Sequence, residues 1–170
     1  MTIVWFNGPS QDPLISVLPK RHFEVGCNFI ERLRSVDAVC VYDQEIISKI
    51  ERKPNTHYYT RPDAQTPGWT VIDDHTLNST NSGLLALYVA VQHSLDPIFI
   101  IGCDWGITDS SCQDLWYGKG YKTRKYTNSI KRKVNRILDG RPCSVVTDLD
   151  PDIDLPKISV DQFIEARSYK

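Results

Sequence analysis

The stretch STNSGLLALYVAVQHSLDPIFIIGCD, residues 79–104, sets two apolar patterns back to back. Ser82–Ser94 is apolar nearly all round, with Leu84, Leu85, Leu87, Tyr88 and Val91 leaving no clear polar face, so it predicts a central helix covered on every side. The hydroxyl and amide side chains of Ser79–Ser82 are of the kind that cap a helix N-terminus. Pro97–Cys103 follows as a short, almost continuous apolar run, the pattern of a parallel strand buried on both faces. A covered helix feeding a covered strand is a unit of an α/β sheet.

Working outward, strand patterns recur at Thr2–Phe6, Phe23–Cys27, Ala38–Tyr42, His57–Thr60, Trp69–Ile72 and Ser144–Thr147. Helical patterns lie between and after them. Gln44–Arg52 sets Ile46, Ile47 and Ile50 on one face. Asn128–Asp139 sets Ile130, Val134, Ile137 and Leu138 against lysines and arginines, with Gly140 as its stop. Val160–Arg167 is capped by Ser159. This alternation predicts an α/β, Rossmann-like fold: a mostly parallel twisted sheet with helices on both faces and right-handed crossovers. The 170 residues suit one domain, 1–170. Two connections are long, Arg61–Gly68 and Asp104 to about Thr123. The second, about residues 105–123, reads as a functional lid, because structureless loops of that length are uncommon inside compact domains.

Composition narrows the function classes. Apolar residues make up 41% and charged residues 24%, which argues against disorder. A net charge of −1 supplies no global field toward nucleic acid or an anionic membrane. No apolar run reaches membrane-span length, and MTIVWFNGPS lacks the features of a signal peptide, so a cytoplasmic location is expected. Cys27, Cys40, Cys103, Cys112 and Cys143 are odd in number and never spaced as C-x₂-C, which favours reduced thiols over a disulfide framework or zinc site.

The candidate site gathers where strands end. Asn7-Gly8-Pro9-Ser10 follows the first strand, offering backbone N–H groups, side-chain hydrogen bonds and a glycine that admits close approach. The same tetrapeptide is also ordinary turn chemistry. Asn28, Asp43 and Asp104 close three further strands, so together they describe one rim. Ser82 and Gly83 open the apolar helix, where capping and anion binding can coexist.

Asn7-Gly8-Pro9-Ser10, Cys27-Asn28, Ser82-Gly83 and Ile101-Gly102-Cys103-Asp104, in that order, resemble the small bacterial sialyltransferases that use CMP-sialic acid. They equally resemble a related family, common in bacteriophages and microbes, that includes archaeal hydroxymethylpterin pyrophosphokinase. The resemblance spans most of the chain, since Val160–Ile164 also looks like that family's closing helix. It implies a Rossmann-like fold, no metal, and a phage-related protein working in the host cytoplasm. It also implies Asn7, Gly8, Ser10 and Asn28 at the nucleotide's phosphate and sugar, Ser82 and Gly83 at ribose and phosphate, and Gly102 with Asp104 at the base or ribose end. The lid departs from this pattern. Where the sialyltransferases carry a histidine-rich stretch with a general base, this chain has Leu115-Trp116-Tyr117-Gly118-Lys119-Gly120.

Three readings follow. The first is a glycosyltransferase-like enzyme using a nucleotide-activated sugar, with Lys119 or Tyr121 assisting the leaving phosphate and His75, beside Asp73 and Asp74, as the candidate base. The second is a catalytically silent nucleotide-binding accessory protein, which the missing lid histidines favour. The third is pyrophosphokinase-like transfer from ATP, the only one of the three that requires Mg²⁺. Asp148-x-Asp150-x-Asp152-x-Asp154 has a spacing that can hold a cation, although Pro151 and Pro156 favour a solvated loop. Residues 119–141 carry nine basic residues against Asp139 alone, a face that suits nucleic acid, an anion-closing lid, or simply the solvated side of a helix, which is the leading reading.

Overall fold

A computed structural model describes residues 1–8, 12–20, 22–64, 66–78, 80–103, 105 and 127–168 of the chain. Its elements run β1 (Thr2–Trp5), α1 (Asp12–Ile15), β2 (Phe23–Cys27), β3 (Ala38–Cys40), α2 (Gln44–Ile47), β4 (His57–Thr60) and β5 (Thr70–Val71). There follow α3 (Ser82–His93), β6 (Ile98–Ile101), α4 (Asn128–Leu138), β7 (Cys143–Val146), β8 (Lys157–Ile158) and α5 (Val160–Ser168). Short 3₁₀ turns cover Ile30–Arg32 and His75–Leu77.

The eight strands form one sheet in the order β5-β4-β3-β2-β1-β6-β7-β8. Every pairing is parallel. The fold is therefore α/β and Rossmann-like, as the strand–helix alternation predicts. The chain lays β2 to β5 outward on one side of β1, then returns through α3 to place β6, β7 and β8 on the other. This reversal makes the carboxyl ends of β1 and β6 the topological switch point, the usual ligand crevice of an open α/β sheet.

Strand periodicity divides the core between two faces. Val4, Phe6, Val25, Cys27, Ile98, Ile100 and Val145 pack against α3 and α4. Ile3, Trp5, Val39, Val41, Ile101 and Val146 face α1, α2 and α5. As its apolar circumference predicts, α3 is covered almost everywhere, with nine of its twelve residues buried. Cys27, Cys40, Cys103 and Cys143 are buried, and burial pushes the Cys27 and Cys143 thiols up to about 12.

One polar cluster is buried with the core. Glu24, fully inaccessible, takes Arg34 Nε at 2.6 Å and Arg34 Nη2 at 2.7 Å, a bidentate pair, together with Trp5 Nε1 at 2.9 Å. Arg34 Nη1 also donates to the carbonyls of Ile15 and Leu18, tying the end of α1 and the turn after it to β2. Every strong donor thus meets an acceptor, which is what makes a buried charge tolerable.

Strand ends shift by a residue or two from the sequence reading, and three features depart from it further. The helix expected over Gln44–Arg52 keeps its α form only to Ile47, because Lys49 and Ile50 bond three residues back and tighten the turn. The short α1 has no periodic signal. Lys157–Ile158, where no strand was expected, forms β8, and the Pro156 and Ile158 carbonyls accept the amides of Val145 and Thr147.

The acidic run is also spoken for. Asp148 accepts the Val160 amide at the start of α5, Asp150 pairs with Lys157 at 2.5 Å, and Asp154 pairs with Lys131. Among the described residues no group of His, Cys, Asp or Glu could hold a metal ion, and no helix is long and apolar enough to cross a membrane.

Candidate functional site

At the switch point the loops after β1 and β6 are bound to one another. Phe6 N donates to Ile101 O at 2.7 Å and Gly8 N to Gly102 O at 2.8 Å. Gly102 sits at φ +78°, and a Cβ there would lie 2.4 Å from the Phe6 carbonyl oxygen. Glycine is therefore required for the two strand ends to meet. The Gly8 amide, expected to be free for a ligand, is committed to this contact. Next to it, the Asn7 amide faces the Cys27 thiol and joins β1 to the end of β2. Asn28 is buried at φ +54°, its amide donating to Cys40 O, so it turns the chain out of β2 and holds β3.

The start of α3 is fixed from two directions. Asn81 is its cap, accepting the Leu84 amide at 3.0 Å. Ser82 is buried and accepts the Tyr42 amide at 2.9 Å, binding the helix start to the end of β3. A Cβ on Gly83 would come within 2.7 Å of the Phe6 ring, so the close approach that Gly83 permits is that of Phe6. Asp43 precedes α2, its carbonyl accepting from Ile46 and Ile47 while its exposed side chain makes no capping bond.

Beside this helix start, at the carboxyl ends of β3, β4 and β5, lies a cavity of about 200 Å³. Its polar wall consists of Tyr42, Arg61, Asp63, Asp73, Asp74, Asn78 and Thr80. Arg61, the residue after β4, lays its guanidinium 4.4 Å over the Tyr42 ring and reaches Asp63 at 3.5 Å. Its Nε is shielded from solvent with no acceptor among the described residues, as is the Thr80 hydroxyl. Asp74 is braced by the Thr76 amide at 2.7 Å and the Tyr88 hydroxyl at 2.8 Å. Hydrogen bonds from Thr76, with help from Tyr88 and His75, hold its carboxyl below the usual carboxylate range. The stacked Arg61 can take an anionic group, while the three carboxylates, the amide and the hydroxyl can take sugar-type hydroxyls.

The structure thus gathers Asn7, Gly8, Asn28, Asp43, Ser82, Gly83 and Gly102 at one end of the sheet, but gives several of them structural duties. His75 is on the exposed turn beside the cavity, its Nδ1 3.8 Å from Asp74, and is not one of the cavity's walls. Pro9, Ser10, Asp104, Lys119 and Tyr121, with almost all of the expected lid, lie outside the described residues. Sequence reasoning missed Tyr42 and Arg61 as site residues. Both sit at or just past strand ends, as Asn28 and Asp43 do, so the same rim argument reaches them.

Comparison of the chain with protein-family models, with curated proteins and with solved structures finds no match.

Proposed function

We propose that this chain binds a nucleotide-type ligand, a nucleotide or a nucleotide-activated sugar, at the carboxyl-end rim of its parallel sheet. The observation that carries this reading is Arg61: a guanidinium stacked on Tyr42, with an Nε–H that has no acceptor among the described residues, in a cavity beside the start of α3. Guanidinium groups recognise phosphate and carboxylate oxygens with good geometry. Asp73, Asn78 and Thr80 complement it with acceptors and donors for ribose or sugar hydroxyls. The reading is one of binding. Transfer chemistry would need a base, and His75 is the described residue nearest that role.

A thermal-shift panel of CMP, UMP, ADP, their sugar conjugates and ATP, with and without Mg²⁺, tests it. A ligand at a hundredfold excess over its Kd raises stability by about 2.7 kcal/mol. At least one member is expected to shift the wild type, with Arg61→Met weakening that ligand about tenfold or more. Silence across the panel would sink the proposal. A shift only with ATP and Mg²⁺ would move it to the pyrophosphokinase-like reading.

A further inference from the structure

At the opposite ends of the same strands, the chain forms a second cleft, of about 340 Å³, between the segment before β4 and the start of β5. His57 opens β4 and Arg61 follows its last residue, so the cleft and the rim cavity are separated by the length of the strand, roughly 10 Å. The cleft's chemistry is different. Arg52, Lys53 and His57 line it together with Thr56 and Thr70, and no acidic residue does.

Its cations are oriented by the main chain. Arg52 Nη1 donates to Gly68 O at 2.6 Å, and Lys53 Nζ donates to Glu31 O. Neither pairs with a carboxylate among the described residues. Gly68, at φ +79°, has room for Arg52 only because it lacks a side chain, since a Cβ would lie 2.1 Å from Arg52 Nη1. A carbonyl partner fixes a guanidinium without cancelling its charge, and leaves Nε and Nη2 able to donate. The Lys53 backbone is fixed too, its amide donating to the Tyr58 hydroxyl at 2.7 Å. His57 and Thr70 are exposed at the mouth.

We propose that this cleft binds the phosphate group of a small phosphate ester. A preset guanidinium, an ammonium, an imidazole and hydroxyls, with no competing carboxylate in the wall, are the groups a phosphate's oxygens take. The volume falls within the range of small-molecule sites. The inference does not depend on the rim ligand, because it uses other residues at the other end of β4.

The experiment is a titration of the full chain with inorganic phosphate and with ribose 5-phosphate, using ribose as the uncharged control and amide NMR shifts as the readout. Saturable shifts at Thr56, His57, Gly68 and Thr70 are expected with both phosphates and not with ribose. Arg52→Gln and His57→Glu should each weaken binding about tenfold or more, while Arg61→Met leaves it unchanged. His57 is exposed, so its variant keeps the test decisive should the arginine variant fold poorly. Shifts that never saturate, or titrations identical in wild type and His57→Glu, would overturn the proposal. So would phosphate shifts confined to the Arg61 end, a result that leaves the rim reading intact.

Discussion

Replacing Gly102 or Gly83 by alanine separates backbone strain from crowding. At Gly102 the new Cβ meets a carbonyl oxygen at 2.4 Å in a left-handed conformation, so neither contact nor φ can relax cheaply. Thermal or urea unfolding should report a loss of roughly 2–3 kcal/mol. Gly83→Ala pushes on a ring that can tilt, and should cost about 1–3 kcal/mol, as overpacking does. Asp74 gives a pH test with a definite sign. Its folded pKa lies below its unfolded one, so the stability it contributes is present above the ordinary carboxylate range and lost as pH falls through the folded value. Asp74→Asn should therefore lower the Tm at neutral pH, and the difference from wild type should shrink as pH falls through the folded value. These glycines also mark where the sequence was ambiguous. Gly83 and Gly102 are identifiable as close-approach positions, but whether a ligand or the chain itself approaches depends on which strands become neighbours.

The buried pair of Glu24 on β2 and Arg34 before β3 holds three segments together, and its loss should be felt as a unit. Arg34→Met leaves an uncompensated inaccessible carboxylate and should cost about 3–5 kcal/mol by denaturant unfolding. Glu24→Leu combined with Arg34→Met should cost less than Arg34→Met alone. At α5, Ser159 accepts the Gln162 amide while Gln162 accepts the Ser159 amide, a reciprocal capping box. Ser159→Ala should destabilise by about 1 kcal/mol. That cap was legible because it is local chemistry, and so were the extents of α3 and α4. The ends of α2 and the existence of β8 were not. Lys157–Ile158 is too short for a period to register, and it pairs only because β7 offers it a free edge. Glu24 in a strand reads as an exposed charge until Arg34, ten residues on, is folded against it.

The arrangement of the whole sheet follows from apolar runs too continuous to face water on either side, and these are visible in the sequence. Strand order was not, since it depends on where α3 returns the chain, and that return creates the switch point and brings Thr80 and Leu85 to the wall of the Arg61 cavity. The candidate site was accordingly legible as a rim and only partly as residues. Asn7, Asn28, Asp43 and Ser82 come to one end of the sheet, yet the cavity there is walled by Tyr42, Arg61 and Thr80. The most direct test of nucleotide binding at that rim is amide NMR of the described chain during titration with a nucleotide that shifts its Tm. Saturable changes concentrated at Tyr42, Arg61, Asn78 and Thr80–Ser82 are the predicted result. Changes that never saturate, or that spare those residues while moving others, would contradict it.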